Sequence, residues 1–154
     1  MNNNIITKGP LLFVGFRLQC KTLEEYQMEI PKVTKKLRSR LDEIVHQVDE
    51  HFTYGIFKAE ADESEDGYWV CMQVHRVQKI PIDMEVIHVP EIKYAMIHHE
   101  GLPKDIHQTY RKLHQEIERA KLKHQPTKWT LEEYDHQKEQ TKHMIYVTLY
   151  DPIS

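Results

Sequence analysis

The chain has 154 residues, of which 40% are hydrophobic and 29% charged, the composition of a folded domain able to bury a core and not of a disordered or fibrous chain. Its 21 Lys and Arg stand against 24 Asp and Glu, a net charge of −3. No basic surplus is available for a phosphate backbone, so direct nucleic-acid binding is disfavoured.

Residues 1–10 are polar and hold no apolar stretch of signal-peptide length. Nothing along the chain approaches the ~18 consecutive apolar residues of a membrane span, and a cytoplasmic protein without membrane contact is expected. In residues 11–20, LLFVGFRLQC, strand alternation puts Leu12, Val14, Phe16 and Leu18 on one face. Over 29–48, Ile30, Val33, Leu37, Leu41, Ile44 and Val48 recur every three or four residues and predict one amphipathic helix with Pro31 in its first turn. Lys32, Lys35, Lys36, Arg38 and Arg40 lie mostly off that stripe and read as a solvated face, with contact to a nucleic acid or a membrane as the alternative.

Residues 52–59 and 68–77 predict a hairpin around an acidic loop that ends in Asp66-Gly67. Pro81 interrupts 79–84, and the extended run 85–98 contains Pro90, a mark of an edge or a bulge. Pro103 opens a second helix with Ile106, Tyr110, Leu113, Ile117 and Ala120 on its apolar face, ended within 123–128 by Pro126. Two last strands, 129–136 and 143–149, flank a polar loop at 137–142.

The order strand, helix, strand, strand therefore occurs twice in one domain over 1–154, as pseudo-repeats at about 10–78 and 85–153. The expected fold class is α+β: duplicated β-α-β-β units joined into a mostly antiparallel sheet, two helices layered on it, and a ligand cleft between the halves.

Cys20 and Cys71 lie in apolar segments without C-x-x-C spacing and read as reduced fillers, neither disulfide-bonded nor nucleophilic. The eleven histidines contain no H-E-x-x-H, and His107 with His114, His98 with His99, and His136 with His143 lack metal-ligand spacing. The five glycines are dispersed and form no phosphate loop, so no metal and no cofactor is expected.

The most informative stretch is 129–136, WTLEEYDH. Alternation sets Glu132 and Tyr134 on one face, Leu131 and Glu133 on the other. If the Leu131 face packs on the helices, Glu132 and Tyr134 face the opposite surface, where a carboxylate beside a phenol would hold a cation. The alternative is that both glutamates are solvated.

The run Leu131-Glu132-Glu133-Tyr134 resembles the apolar-Glu-x-Tyr signature of GyrI-like effector-binding domains, the small-molecule receptors fused to AraC-type and MerR-type transcription regulators and also found alone. Tyr94-Ala95-Met96 with His99-Glu100-Gly101, the helix positions Ile106, Tyr110 and Leu113, and the end Asp151-Pro152-Ile153 are similar to the same family.

The resemblance implies a stand-alone, non-enzymatic small-molecule binding protein for hydrophobic, cationic ligands, acting in transcription regulation or in drug or toxin sequestration. Glu132 would be the acid at the base of the pocket and Tyr134 its wall or hydrogen-bonding partner. Trp69, by pseudo-symmetry, is a further wall, with Tyr68 on the opposite face as the core alternative. Phe16 and Tyr54 are weaker ligand-binding candidates. The alternative activity is hydrolysis of cyclopropane-containing electrophilic toxins, with Glu132 activating water and Tyr134 donating to the departing oxyanion. A protein partner docking on the acidic loop 62–66 is a third reading.

Overall fold

In the computed structural model, which describes residues 4–138 and 143–154, eight strands form one antiparallel sheet that carries two α-helices. The elements are β1 (Ile5–Lys8), β2 (Leu11–Leu18), α1 (Leu23–Arg38), β3 (Phe52–Lys58), β4 (Tyr68–Val74), β5 (Glu85–Val89), β6 (Ile92–Gly101), α2 (Ile106–Arg119), β7 (Trp129–Asp135) and β8 (Ile145–Pro152). The expected α+β class, with an antiparallel sheet and two helices, is the one found. Of the polar loop expected at 137–142, residues 139–142 lie outside the described residues.

The sheet order is β1-β6-β8-β7-β3-β4-β2-β5. It reads symmetrically outward from the β7/β3 junction, with β8 answering β4, β6 answering β2 and β1 answering β5. Each half also lends a strand to the other: β1 pairs with β6, and β5 pairs with β2. The run 85–98, expected as one extended element, is two strands for this reason. Pro90 and Glu91 separate them, and β5 takes the sheet edge that a proline neighbour predicts.

Helix α1 departs from the expectation over 29–48. It begins at Leu23 because Thr22 caps it: Thr22 Oγ1 accepts the Glu25 amide at 3.1 Å, while Glu25 Oε2 accepts the Lys21 amide at 3.1 Å. Pro31 consequently lies inside the helix. The helix stops at Arg38, and the stripe residues Leu41 and Ile44 continue from a 3₁₀ turn, Leu41–Glu43. Arg40 fixes that turn by pairing with both Glu43 and Asp83, at 2.7 and 2.6 Å. Apolar spacing survives across the break, so periodicity alone could not mark it.

The two sheet faces have different cores. One face is made of strand residues only: Phe13, Tyr54, Ile56, Trp69, Ile87, Tyr94, Trp129, Leu131 and Tyr150 are buried together there. Residues of the outlying strands β5 and β6 meet those of the central β3 and β7 in this cluster, so the sheet curves over on itself. The other face takes the helices in two separate clusters. Leu37 of α1 packs with Val14, Phe16, Val70 and Met72, and Leu113 and Ile117 of α2 pack with Ala95, Val147 and Leu149. Between the two helices the centre of the sheet is left uncovered by either.

Candidate functional site

That uncovered centre is the floor of a cavity of about 1010 Å³. Helix α1 supplies one wall through Tyr26, Ile30 and Thr34, and α2 the other through Ile106 and Tyr110. Glu132 of β7 lies on the floor and is only 6% exposed.

The register explains why Glu132 points here. Directly opposed residues of neighbouring strands share a face, and Glu132 pairs with Gly55, which pairs with Val70. The face of Glu132 is thus the face of Tyr68, Val70 and Met72, the one that carries the helices. Leu131 packs on the opposite, strand-only face. The conditional expectation that Leu131 meets the helices is therefore reversed: Glu132 and Tyr134 share the helix side.

Three phenols converge on the Glu132 carboxylate. Tyr68 Oη donates to Oε1 at 2.5 Å, Tyr134 Oη to Oε1 at 3.1 Å, and Tyr110 Oη to Oε2 at 2.6 Å. They come from β4, β7 and α2, so three side chains from three elements close on one group. Gly55 makes this possible. A Cβ at Gly55 would lie 1.6 Å from Tyr68 Oη, so only a residue without a side chain lets Tyr68 cross β3 to reach β7.

Burial pushes the Glu132 carboxyl above its ordinary value, while the hydrogen bonds from Tyr110, Tyr68 and Tyr134 and the charge of His99 pull the other way. Burial, reinforced by the negative charge of Glu132, raises the three tyrosines well above their ordinary value, so they remain donors at neutral pH. Each hydrogen bond to a charged group contributes about 1.5–3 kcal/mol. Together they offset much of the desolvation of the carboxylate without neutralising it.

The mouth has a different character. Exposed Lys35 and Arg38 of α1 and Lys104 before α2 line it, with Asp66 and an exposed Leu23. The basic face of α1 is thus only partly a solvated outer surface, since Lys35 and Arg38 look onto the cavity. Lys36 and Arg40 instead lie over the Phe16 ring, at 4.4 and 5.5 Å from its centre.

Of the four residues singled out from sequence, the structure brings Glu132 and Tyr134 together in the cavity and leaves Trp69 and Phe16 out of its lining. Trp69 opposes Ile56 and so faces the strand-only core, where it packs edge-on against Trp129 at 5.4 Å and under Arg17 at 4.8 Å. Its neighbour Tyr68, expected as the core alternative, faces the cavity. Phe16 has the right face, opposing Val70, but α1 covers it. Tyr54 opposes Glu133 on the far face and donates to its Oε2 at 2.7 Å. Sequence reasoning passed over Tyr110, read there as part of an apolar helix stripe. The outermost atom of a tyrosine on such a stripe can reach a buried acceptor, and that was the available signal.

Burial raises the Cys71 thiol well above its ordinary value, an inert setting. Among the described residues one cluster has metal-ligating composition, His114, His124 and Asp151, and it lies outside the cavity lining.

An antiparallel sheet with two helices flanking a cavity, floored by one buried acid among phenols, defines an effector-binding domain of GyrI-like fold. The chain belongs to the Cass2 family, integron-associated effector binding proteins, whose family model matches residues 4–153. Solved structures share the fold at low identity. SAV2435 bound to tetraphenylphosphonium is similar with a TM-score of 0.73 and 15% identity, covering 97% of this chain and 92% of that one. The EcmrR C-terminal domain has a TM-score of 0.70 and 14% identity over 97% and 95% of the two chains. A hydrolase encoded by lin2189 from Listeria innocua has a TM-score of 0.54 and 12% identity over 97% and 90%. No curated protein matches the sequence. Among the described residues no helix is long and apolar enough to cross a membrane.

Proposed function

We propose that the protein is a cytoplasmic receptor or sequestering protein for hydrophobic small molecules carrying a single positive charge, with Glu132 as their charge partner. Tyr68, Tyr110 and Tyr134 hold the carboxylate in place and offer ring faces, and Tyr26, Ile30 and Phe57 give apolar surface to the ligand body. The observation that carries this reading is a buried acid whose hydrogen-bond partners are all neutral phenols, at the base of a cavity large enough for a drug-sized molecule. Such a group is short of positive charge, and an organic cation supplies it. That SAV2435 holds tetraphenylphosphonium, a lipophilic cation, supports the ligand class.

The net charge of −3 favours a role in transcription exercised through a partner protein or by lowering free ligand, not through the chain's own contact with DNA. Hydrolysis on the same pocket is the weaker reading. Both Glu132 oxygens already accept phenol protons, and the tyrosines are held far from acidity, which suits neither a general base nor a general acid.

Two nearly isosteric compounds test the proposal: the cation methyltriphenylphosphonium and neutral triphenylphosphine oxide. Calorimetry should show the cation binding at least about tenfold more tightly, since only it compensates the acid. Equal affinities would overturn the charge-partner role. More than one equivalent of product from a cyclopropane-containing electrophile would establish the hydrolase instead.

A further inference from the structure

Beside the second half of α2, three residues far apart in sequence meet. His114 projects from α2, one turn beyond Tyr110. His124 lies in the connection from α2 to β7, and Asp151 lies in β8. The connection is fixed there by main-chain bonds in both directions between Lys123 and Ser154, at 3.2 and 2.9 Å, and by a bridge between His124 and Ile153.

The Asp151 side chain is 3% exposed. Its Oδ1 lies 2.7 Å from His124 Nε2 in hydrogen-bond geometry. Its Oδ2 lies 2.7 Å from His114 Nε2, yet out of line for an N–H···O bond, and Oδ2 has no hydrogen-bond partner. Among the described residues no lysine or arginine forms an ion pair with Asp151; both of its ion-pair contacts are imidazoles. A buried carboxylate is thus left facing two ring nitrogens, one of which does not satisfy it.

We propose that His114, His124 and Asp151 bind a divalent transition-metal ion, with zinc the fitting case. Two imidazoles and one carboxylate are the ligand set of three-ligand zinc sites, which leave a fourth position for water or another donor. Imidazole suits zinc and its neighbours, whereas magnesium and calcium require oxygen ligands throughout. The three donor atoms lie within 4.8 Å of one another. Tetrahedral zinc with bonds of 2.0–2.1 Å needs donors about 3.3 Å apart, so the imidazoles must draw back from their 2.7 Å contacts with the two Asp151 oxygens while the widest donor pair closes from as much as 4.8 Å. Both histidines have room for this, with side chains 51% and 34% exposed. The bound ion satisfies the unpartnered Oδ2 and ties α2, its outgoing connection and β8 together. No sequence spacing announces the site, because each ligand comes from a different element.

The test is calorimetric titration of zinc into chelator-stripped full-length protein, followed by cobalt as a spectroscopic stand-in. One equivalent of zinc is expected to bind, with cobalt giving the visible absorption of a low-coordinate N/O site. His114→Ala and His124→Ala should each weaken that equivalent at least about tenfold, and the double variant should lose it. Excess zinc should raise the Tm of the native chain by several degrees and leave the double variant unmoved. Replacing both exposed histidines leaves the buried Asp151 without its imidazole contacts, so thermal unfolding of the metal-free double variant is measured first to show that it folds. Retention of the tight equivalent by the double variant would assign it to other histidines and overturn the proposal. So would a native chain that binds zinc no more tightly than about 1 mM.

Discussion

Replacing Glu132 by Gln removes one charge and almost no volume. In the native cavity, a monocation whose charge is shielded by aryl groups stands about 6 Å from the carboxylate, and at an effective dielectric of about 20 the attraction is about 3 kcal/mol. That corresponds to about a hundredfold in affinity. Water at the cavity mouth and the cost of ionising a carboxyl whose value burial has raised reduce it, so a loss between about tenfold and a hundredfold is expected. Stability should change little. Glutamine offers one acceptor oxygen to the three phenols, so one hydrogen bond to a charged group, worth about 1.5–3 kcal/mol, is lost, while the cost of burying a charge disappears. Calorimetry with methyltriphenylphosphonium, beside triphenylphosphine oxide as neutral control, measures the effect, and thermal unfolding checks the fold. If the variant binds the cation within threefold of the native chain, Glu132 is not the charge partner.

Other consequences follow from the same geometry. Because burial holds the Glu132 carboxyl above 4.5 in the folded state, its contribution to stability is present below that value and is lost as pH rises through the raised one. Cation affinity should run oppositely, rising with pH until Glu132 is ionised, and Glu132→Gln should remove that part of the profile, leaving any contribution of nearby histidines. Changing Lys35 and Arg38 to Glu at the mouth should tighten cation binding severalfold at low ionic strength, an advantage that 0.5 M salt should erase since the Debye length there is only about 4 Å; a salt-independent gain would contradict it. Gly55→Ala must displace the Tyr68 phenol, and should lower stability by about 1–3 kcal/mol as read by denaturant unfolding. Trp69→Phe should also destabilise, by about 1–3 kcal/mol, yet leave ligand affinity within twofold, because Trp69 faces the strand-only core.

Much of this architecture is written locally. Strand alternation in 11–20, 52–59, 68–77 and 129–136 marks β2, β3, β4 and β7 to within a few residues, and Pro103 with its apolar stripe marks α2. The start of α1 is also local, in Thr22 and Glu25, but a stripe that runs past the true end conceals it. What is not local is parity between strands. Whether Tyr68 or Trp69 shares a face with Glu132 depends on the pairings 132 to 55 and 55 to 70, which no single segment encodes. The same holds for Tyr110, whose hydroxyl finds its acceptor only when α2 is laid across β7, and for His114, His124 and Asp151, separated by ten and 27 residues.

The pairing of Gly55 with Glu132 has a consequence for duplication itself. Gly55 is the fourth residue of β3 and Glu132 the fourth of β7, so they are equivalent positions that also stand opposite each other, on the dyad relating the halves. An exactly repeated sequence would set each residue there against its own copy: two acids would repel in a dry interior, and two glycines would offer no charge. Divergence at that one point converts a two-fold symmetric surface into an asymmetric one, with a single anionic centre for two modules. A single bound molecule per chain is the stoichiometry that this broken dyad dictates.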